Sequence, residues 1–293
     1  MIETKNSTHL DDASPTQLRQ AWQHCALVTR RAAGNFYYAF IFLPKERRRG
    51  IQALYAFLRA GDDAADSEQG NKAELLNRVK ERLDLCYEGY FSDSLTLGLA
   101  LAIKKFKFPR KHFDDMFLGL KSDLNVNRYE TFSELHQYCY RVASTVGLLC
   151  LSIFDADTPK ARIYAENLGI GMQLTNILRD LQEDFGRNRI YLPAEDLRRF
   201  GLNDSNFFSD NNRNQLGELI TWEVERAESY YEKASNDFPC ELRGRLIAAT
   251  IMGRIYQTIL QRVKTAKDHH NRIELSRREK LAIGYRVITE SNS

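Results

Sequence analysis

The stretch Gln-Leu-Thr-Asn176-Ile-Leu-Arg-Asp180-Leu-Gln-Glu-Asp184 decides the fold of this chain of 293 residues. The three numbered residues recur every four positions, and in an α-helix this spacing places their side chains on one face. A second acidic cluster, Asp62 and Asp66, has the same spacing. Both clusters lie at the polar end of apolar-rich segments. The pattern predicts two helices that face each other and direct oxygen atoms into one cavity.

Spacing alone does not establish a site. The chain contains 19 aspartates, so chance would place about 1.2 pairs four residues apart, and two such pairs occur. Solvated helix faces are therefore the alternative interpretation of both clusters. Their continuity with the apolar-rich segments 51–60 and 168–178 favours an interior site instead.

The chemistry of these side chains indicates a divalent cation. Carboxylate and amide oxygens without sulfur or imidazole suit Mg²⁺, with Mn²⁺ as a substitute, and such ions commonly also bind substrate phosphates. A guanidinium beside such an ion can neutralise diphosphate oxygens through paired hydrogen bonds. Simple ion pairing at the surface is the alternative for these arginines. They are Arg59 near the first cluster and Arg179, Arg187 and Arg189 near the second.

Apolar residues follow a helical period through most of the chain, with no sustained alternation and no strand–helix–strand spacing, so we expect an all-α fold. One domain is expected over 15–285, between a disordered tail over 1–14 and a polar tail over 286–293. The helices are expected over 15–42, 45–66, 72–90, 93–106, 109–121, 131–154, 158–185, 214–237 and 241–265.

Composition argues against several other classes of protein. The five cysteines are odd in number and contain no Cys-x-x-Cys pair, which favours buried thiols in a reducing compartment. The chain has no nucleic-acid-binding motif, P-loop or dinucleotide fingerprint, so no nucleic-acid partner is expected. Without a signal peptide or a run of 18 apolar residues, a cytoplasmic location is expected. Peripheral membrane contact through the basic run 104–111 is left open.

The aromatic segment Phe36-Tyr-Tyr-Ala-Phe40-Ile-Phe42 is apolar on all sides, as expected for a buried helix. Core packing is the ordinary interpretation of such a segment. A lining for a long hydrocarbon substrate is the alternative, and the sequence leaves both open.

Taken together, these blocks resemble the squalene/phytoene synthase family, whose members join prenyl diphosphates head to head. The resemblance spans about residues 20–275. Its most specific part is 173–184 with Arg189-Ile-Tyr-Leu-Pro193, which is similar to the family's second aspartate motif. The other matching blocks are 36–49, 53–66 and 138–147. The resemblance implies a single-domain helical bundle of the isoprenoid-synthase type around a central cavity.

The resemblance also implies roles for individual residues. The ligands of Mg²⁺ and its diphosphate would be Asp62 and Asp66 from one helix and Asn176, Asp180 and Asp184 from the other. Further contacts at the diphosphate site would come from Arg59, Arg272 and Gln173. The prenyl tunnel would be lined by Phe36, Phe40, Tyr55, Tyr138, Val142, Ala143, Val146, Gly147 and Tyr256.

Some positions depart from the family pattern. Ala33, Gly34 and Asn35 stand where members often carry serines, and Asn35 is a candidate to replace their diphosphate contact. Ser144 replaces a glycine that many members have in the central helix. The segment 118–123 matches the family's acidic version only loosely.

The activity implied is that of a prenyltransferase which condenses two farnesyl diphosphates to presqualene diphosphate and releases diphosphate. The block from Phe36 and the run Arg59-Ala-Gly-Asp-Asp read more like bacterial members that stop at this product. Synthesis of phytoene, dehydrosqualene or squalene is the alternative within the family. A non-catalytic assembly factor with the same fold is the alternative of another class, and the run 173–180 speaks against an ordinary head-to-tail synthase or terpene cyclase.

NADPH is not expected as a cofactor, although the family's reducing members also lack a dinucleotide fingerprint. The expected partners are prenyl diphosphate substrates and downstream enzymes of isoprenoid biosynthesis, with hopanoids and carotenoids as the candidate end products.

Overall fold

Most of the chain is helical in the computed structural model of the protein, which describes residues 7–67, 69–266 and 272–291. Within those residues, the only paired strands are the two-residue β1 (Thr8–His9) and β2 (Tyr90–Phe91), which run antiparallel. The prediction of an all-α fold is confirmed. In the part of the chain that is described, no helix combines the length and apolarity needed to span a membrane.

The chain divides into two compact units. The first contains the residues up to Leu124 together with Leu149–Ala156, and the second contains Asn125–Leu148 together with the residues from Asp157 onward. The expectation of one domain over 15–285 stays a prediction.

The first unit is built around one long helix that carries the first acidic cluster. This helix, α3, begins directly after Pro44, and the other helices α1, α4, α5 and α6 all pack against it. Its buried side is rich in small and aliphatic residues, with Phe57 fully enclosed. The helices are α1 (Pro15–Ala32), α2 (Gly34–Phe40), α3 (Lys45–Asp66), α4 (Lys72–Tyr87), α5 (Ser94–Phe106) and α6 (Arg110–Ser122).

Two expectations for the N-terminal part were wrong. A continuous helix over 15–42 is interrupted between α1 and α2, because Gly34, the first residue of α2, has a φ of +46°, a left-handed value that turns the chain. The tail expected to be disordered over 1–14 contains β1 and a 3₁₀ turn at Leu10–Asp12. The side chain of Leu10 is buried, and its backbone N–H donates a hydrogen bond to the carbonyl of Gly89. Residues 1–6 of that tail lie outside the described residues.

The second unit is centred on the helix that carries the second acidic cluster. This helix, α9, packs against α7, α12, α13 and a π-helical segment, Tyr140–Ser144. The helices are α7 (Phe132–Cys139), α8 (Thr145–Phe154, which continues into the first unit), α9 (Pro159–Arg179), α10 (Leu181–Gly186), α11 (Ala194–Arg199), α12 (Arg213–Asn236), α13 (Ile247–Thr265) and α14 (Arg277–Ser291).

The second unit also differs from the expected helices. The helix expected over 158–185 breaks at Asp180, whose φ of −103° and ψ of 13° are not helical, and resumes as α10. The last helix, α14, was not predicted, because it buries few apolar residues and therefore shows no strong apolar period. It includes residues 286–291 of the expected C-terminal tail, and residues 292 and 293 lie outside the described part.

A close helix contact fixes α9 against the π-helical segment. Ser144 donates a hydrogen bond of 2.8 Å from its hydroxyl to the carbonyl of Glu166 in α9. One turn further on, Gly169 approaches so closely that a Cβ there would lie 2.7 Å from the Cα of Ser144 and 2.8 Å from its backbone nitrogen. The serine that departs from the family pattern thus contributes a contact to α9, and only glycine fits at position 169 opposite it.

We therefore expect Gly169→Ala to lower the free energy of unfolding by about 1–3 kcal/mol, because the backbone of the π-helical segment must move. Urea unfolding followed by circular dichroism measures this. Gly217→Ala in α12 is the matched control, since nothing lies within 4 Å of its Cβ, and it should stabilise by about 0.4–1 kcal/mol. Equal stability of Gly169→Ala and wild type would show that the contact is looser than described.

A buried ion cluster joins α11 to α12 in the second unit. Arg226 contacts Asp196 at 2.7 Å and Glu223 at 2.7 Å, and its guanidinium lies 4.1 Å from the ring centroid of Phe132. The side chain of Glu223 is 1% exposed. Because the guanidinium of Arg226 donates to both carboxyl groups where water is excluded, this cluster fixes the segment that follows the second acidic motif.

Candidate functional site

The first acidic cluster occupies one face of α3. Tyr55, Arg59, Asp62 and Asp66 are spaced by four, three and four residues, which aligns them along about 16 Å of one helical stripe. Along this stripe, the aromatic ring of Tyr55 is followed by the guanidinium of Arg59 and then by the two carboxylates. A ligand with an apolar chain and an anionic head would match this order.

The charges on this stripe are crowded. Desolvation, together with the negative charges of Asp66, Asp63 and Asp123, raises the pKa of Asp62 to about 7 against the effect of Arg59. The Asp62 side chain nevertheless keeps exposed surface, so a hydrated ion can reach it. Arg59 is itself paired with Asp63 at 2.6 Å. A bound cation would relieve the repulsion between these carboxylates.

Sequence reasoning missed two acids of this cluster, Asp63 and Asp123. Asp123 follows the last residue of α6, in the segment whose match to the family's acidic version is loose. The sequence carried no signal for Asp123, because its approach to Asp62 depends on the packing of α6 on α3.

Three of the expected tunnel residues form an aromatic cluster in the first unit. The ring centroids of Phe36 and Phe40 are 6.2 Å apart, and those of Tyr55 lie 6.0 Å from Phe36 and 6.4 Å from Phe40. Phe40 is buried, whereas Phe36 and Tyr55 are half-buried. Because Tyr55 also begins the α3 stripe, the cluster adjoins the cation and acids.

The second acidic cluster surrounds the point where α9 ends. Asn176 donates a hydrogen bond of 3.2 Å from Nδ2 to Oε1 of Gln173, which brings these two predicted site residues together. The other amide oxygen, Oδ1 of Asn176, is buried without a hydrogen-bond partner among the described residues. A buried acceptor without a donor is costly, so this oxygen fits a ligand that supplies positive charge.

Asp180 is held by two arginines. Arg179 donates from Nε to Oδ1 at 2.8 Å and from Nη2 to Oδ2, and Arg272 lies 3.1 Å from Oδ1. Arg272 also contacts Glu183 at 3.5 Å. The predicted diphosphate contact and a predicted metal ligand are therefore adjacent in the structure.

Asp184 lies one turn further on, where its backbone N–H bonds to the carbonyl of Asp180 at 2.9 Å. Desolvation and the charges of Asp180 and Glu183 raise the pKa of Asp184 to about 7, against the effects of Arg189 and Arg187. Crowded carboxylates again favour a cation. Among the described residues, no three His, Cys, Asp or Glu side chains are already gathered as a ligand set.

Tyr138 belongs to a stack of three tyrosines. Its ring centroid lies 5.3 Å from that of Tyr191 and 5.5 Å from that of Tyr129, and its hydroxyl is 3.5 Å from the hydroxyl of Tyr191. All three side chains are buried. The stack ties α7 to the segment after the second acidic cluster.

The remaining tunnel candidates lie on the π-helical segment and α8. Val142, Ala143, Val146 and Gly147 are half-exposed although neighbouring residues of these helices are buried, as expected for a wall that a ligand can reach. Gly147 has a further reason to be small, since a Cβ there would lie 3.2 Å from the carbonyl oxygen of Ala165 in α9.

Tyr256 does not serve as a purely apolar lining. It is 2% exposed and makes a side-chain hydrogen bond with Arg179. Lys280, on α14, lies close enough to Arg179 for the two charges to repel each other. The pKa of Lys280 is lowered mainly by desolvation and further by the charges of Arg179 and Arg277. Sequence reasoning noted Arg179 only as a neighbour of the cluster, and it missed Lys280 because α14 was not predicted.

Comparison with known proteins gives a consistent result. The family model described as squalene/phytoene synthase matches residues 29–279. Phytoene synthase of Mycobacterium bovis is 34% identical over 283 residues, covering 94% of this chain and 93% of that protein. The 15-cis-phytoene synthase of Synechocystis sp. is 36% identical over 231 residues, covering 74% and 68%.

A solved structure of a dehydrosqualene synthase superposes with a TM-score of 0.82 at 29% sequence identity, over 94% of this chain and 98% of that chain. The expected isoprenoid-synthase type of helical fold is thereby confirmed.

The raised pKa of Asp62 generates a prediction about stability. Its folded pKa of about 7 exceeds the ordinary value of 3.8, so wild-type stability should fall as the pH rises between these values. Asp62→Asn removes the charge, and should therefore gain stability relative to wild type at pH 8 but not at pH 4. Urea unfolding in EDTA at both pH values measures the difference, with Asp12→Asn, at an exposed acid, as control. A stability difference independent of pH would contradict the charge crowding.

Proposed function

Because the chain belongs to the squalene/phytoene synthase family, we propose that it joins two farnesyl diphosphates head to head and releases presqualene diphosphate. The observation that supports this best is the stripe on α3, where Tyr55 of the aromatic cluster is followed by Arg59 and two acids. That order matches a substrate with a hydrocarbon chain attached to a diphosphate. The complete set of motif acids argues against a non-catalytic assembly factor.

The two acidic clusters fit Mg²⁺, as indicated by the crowded carboxylates and by Oδ1 of Asn176, which has no hydrogen-bond donor among the residues that the structure describes. The ligands that would hold it are Asp62, Asp66, Asn176, Asp180 and Asp184. When bound, the ion would supply positive charge to the leaving diphosphate.

The chain's own residues would assist ionisation of the first substrate. As the bond between C1 and the diphosphate oxygen breaks, negative charge grows on the diphosphate, and Arg59 and Arg272 would donate hydrogen bonds to its oxygens. The allylic cation left behind would be attracted to the faces of aromatic rings. The tyrosine stack around Tyr138 and the cluster around Phe36 would also keep water from the cation.

Carbon–carbon bond formation then needs no redox partner. The C2–C3 double bond of the second substrate attacks C1 of the cation, which forms one bond and moves the positive charge to C3. Loss of a proton from the attacked carbon closes a cyclopropane ring, and the released diphosphate accepts that proton. The product keeps the second diphosphate.

Phytoene synthesis from two C20 substrates is the second candidate, since the relatives at 34% and 36% identity are both named phytoene synthase. The packed Phe36, Phe40 and Tyr55 rings favour the shorter C15 chain, because they already fill space beside the α3 stripe. One buried methylene contributes only about 0.8 kcal/mol, so steric closure must decide the chain length.

The metal requirement is tested with Asp180→Asn and with EDTA. We expect the variant to lose at least about 100-fold in turnover, the scale of removing one electrostatic stabiliser, with its helical circular dichroism unchanged. Excess EDTA should abolish turnover, and Mg²⁺ or Mn²⁺ should restore it. Asp157→Asn is the matched control, because Asp157 is also paired with an arginine of α9, at 2.6 Å, but lies at the opposite end of that helix. Full turnover in EDTA would sink the metal assignment.

The product is tested by mass spectrometry with farnesyl and geranylgeranyl diphosphates in competition, with and without NADPH. We expect presqualene diphosphate from the C15 substrate, with the product unchanged by NADPH. Dominant phytoene would overturn the C15 choice in favour of the second candidate. No product from either substrate, with protein that is folded and supplied with Mg²⁺, would overturn the proposed function.

A further inference from the structure

Arg179 is more deeply buried than Arg272, the other arginine that contacts Asp180. Its side chain is 10% exposed, against 48% for Arg272. Its guanidinium engages both oxygens of Asp180 and also bonds to the buried Tyr256 of α13. A side chain held from two sides in a buried position has little freedom to leave its partner.

This arrangement occupies the carboxylate that would bind metal. Both oxygens of Asp180 accept from Arg179, and Oδ1 lies 3.1 Å from Nε of Arg272 as well. Two guanidinium charges thus surround one carboxylate charge. A hydrated divalent cation that approaches Asp180 meets two positive charges and a carboxylate already engaged at both oxygens. It gains little from this ligand unless an anion binds with it.

We propose that Arg179 is a positioning residue that keeps Asp180 paired in the metal-free protein, so that the α9 cluster takes up its cation together with the diphosphate group and not before it. The inference rests on the proposed function, since diphosphate is the anion of that substrate. Arg272, half-exposed, is the guanidinium that can turn to a diphosphate, while Arg179 stays behind the carboxylate. Order of binding follows from the difference in burial between these two arginines.

The same helix provides a matched pair for comparison. At the other end of α9, Arg162 donates from Nε to Asp157 at 2.6 Å and from Nη2 at 2.9 Å. This pair has the same two-bond geometry, but Arg162 is 55% exposed, and its partner Asp157 is not one of the motif acids. Removing Arg162 therefore controls for the loss of an arginine–aspartate pair from α9.

The experiment measures binding of Mn²⁺ by the free-ion signal in electron paramagnetic resonance, with and without inorganic pyrophosphate, and corrects for Mn²⁺ bound by pyrophosphate in solution. Wild type should bind Mn²⁺ weakly alone and about tenfold more tightly with pyrophosphate. Arg179→Met should bind Mn²⁺ alone about fivefold more tightly than wild type and gain less from pyrophosphate. Arg162→Met should behave as wild type, and Arg179→Lys should restore part of the dependence on pyrophosphate because it keeps the charge.

Unchanged or weaker Mn²⁺ binding by folded Arg179→Met would overturn the inference. Should that variant fail to fold, Tyr256→Phe is measured instead. It removes only the hydroxyl that holds Arg179, and it should shift Mn²⁺ binding in the same direction, whereas no shift would likewise overturn the inference.

Product formation by the same preparations separates the two proposals. An active wild type with no effect of Arg179→Met on Mn²⁺ binding overturns the inference alone. A wild type that forms no head-to-head product and binds no Mn²⁺ in pyrophosphate overturns the proposed function and the inference with it.

Discussion

Carboxylates that share one helix face repel each other, and each of the two acidic clusters contains arginines that offset part of this repulsion. On α3, the acids around Asp62 raise its pKa to about 7, and Arg59 offsets only part of their charge through its contact with Asp63. On α9, Arg179 and Arg272 neutralise Asp180, and Asp184 still has a pKa raised to about 7. The α3 cluster is thus left with more negative charge than Arg59 balances, which is the condition under which a divalent cation binds favourably. The two arginines on Asp180 instead leave that carboxylate little attraction for a cation that arrives without an anion.

Holding these acids in place requires a rigid support. The support of α9 comes from the close contact at Gly169, from α12 and from α13, whose Tyr256 reaches Arg179. A buried hydrogen bond of 2.8 Å between Thr175 and Tyr231 joins α9 to α12 one residue before Asn176. The polar end of α9 is therefore fixed by its packing, so that charge repulsion cannot be relieved by helix movement.

The parts of the site that follow one helix could be predicted from the sequence. The α3 stripe depends only on the helical period, and its spacing of four, three and four residues is visible in the chain itself. The family resemblance carried the function further than spacing could. Contacts between distant segments, such as that of Arg179 with Tyr256, could not be read from the sequence, because no local pattern reports which helices pack together. The break at Asp180 and the helix α14 were missed for a similar reason, because apolar periodicity does not indicate where a helix begins or ends when few apolar residues are buried.

Comparison with the buried ion cluster shows why crowding of acids alone does not mark the site. Glu223 and Asp196 are also neighbouring acids, since both accept from Arg226, and burial raises the pKa of Glu223 to about 8. There, however, one enclosed guanidinium contacts both carboxylates, and the side chain of Glu223 is 1% exposed, so no ion or substrate can reach it. Around α3 and the end of α9, the acids keep solvent access, and no residue in the described part of the chain donates to the amide oxygen of Asn176. A buried acceptor without a donor destabilises the folded protein, and it persists mainly where a ligand supplies the missing partner. Solvent access and the missing hydrogen-bond donor therefore separate the candidate site from an ion cluster that only holds two helices together.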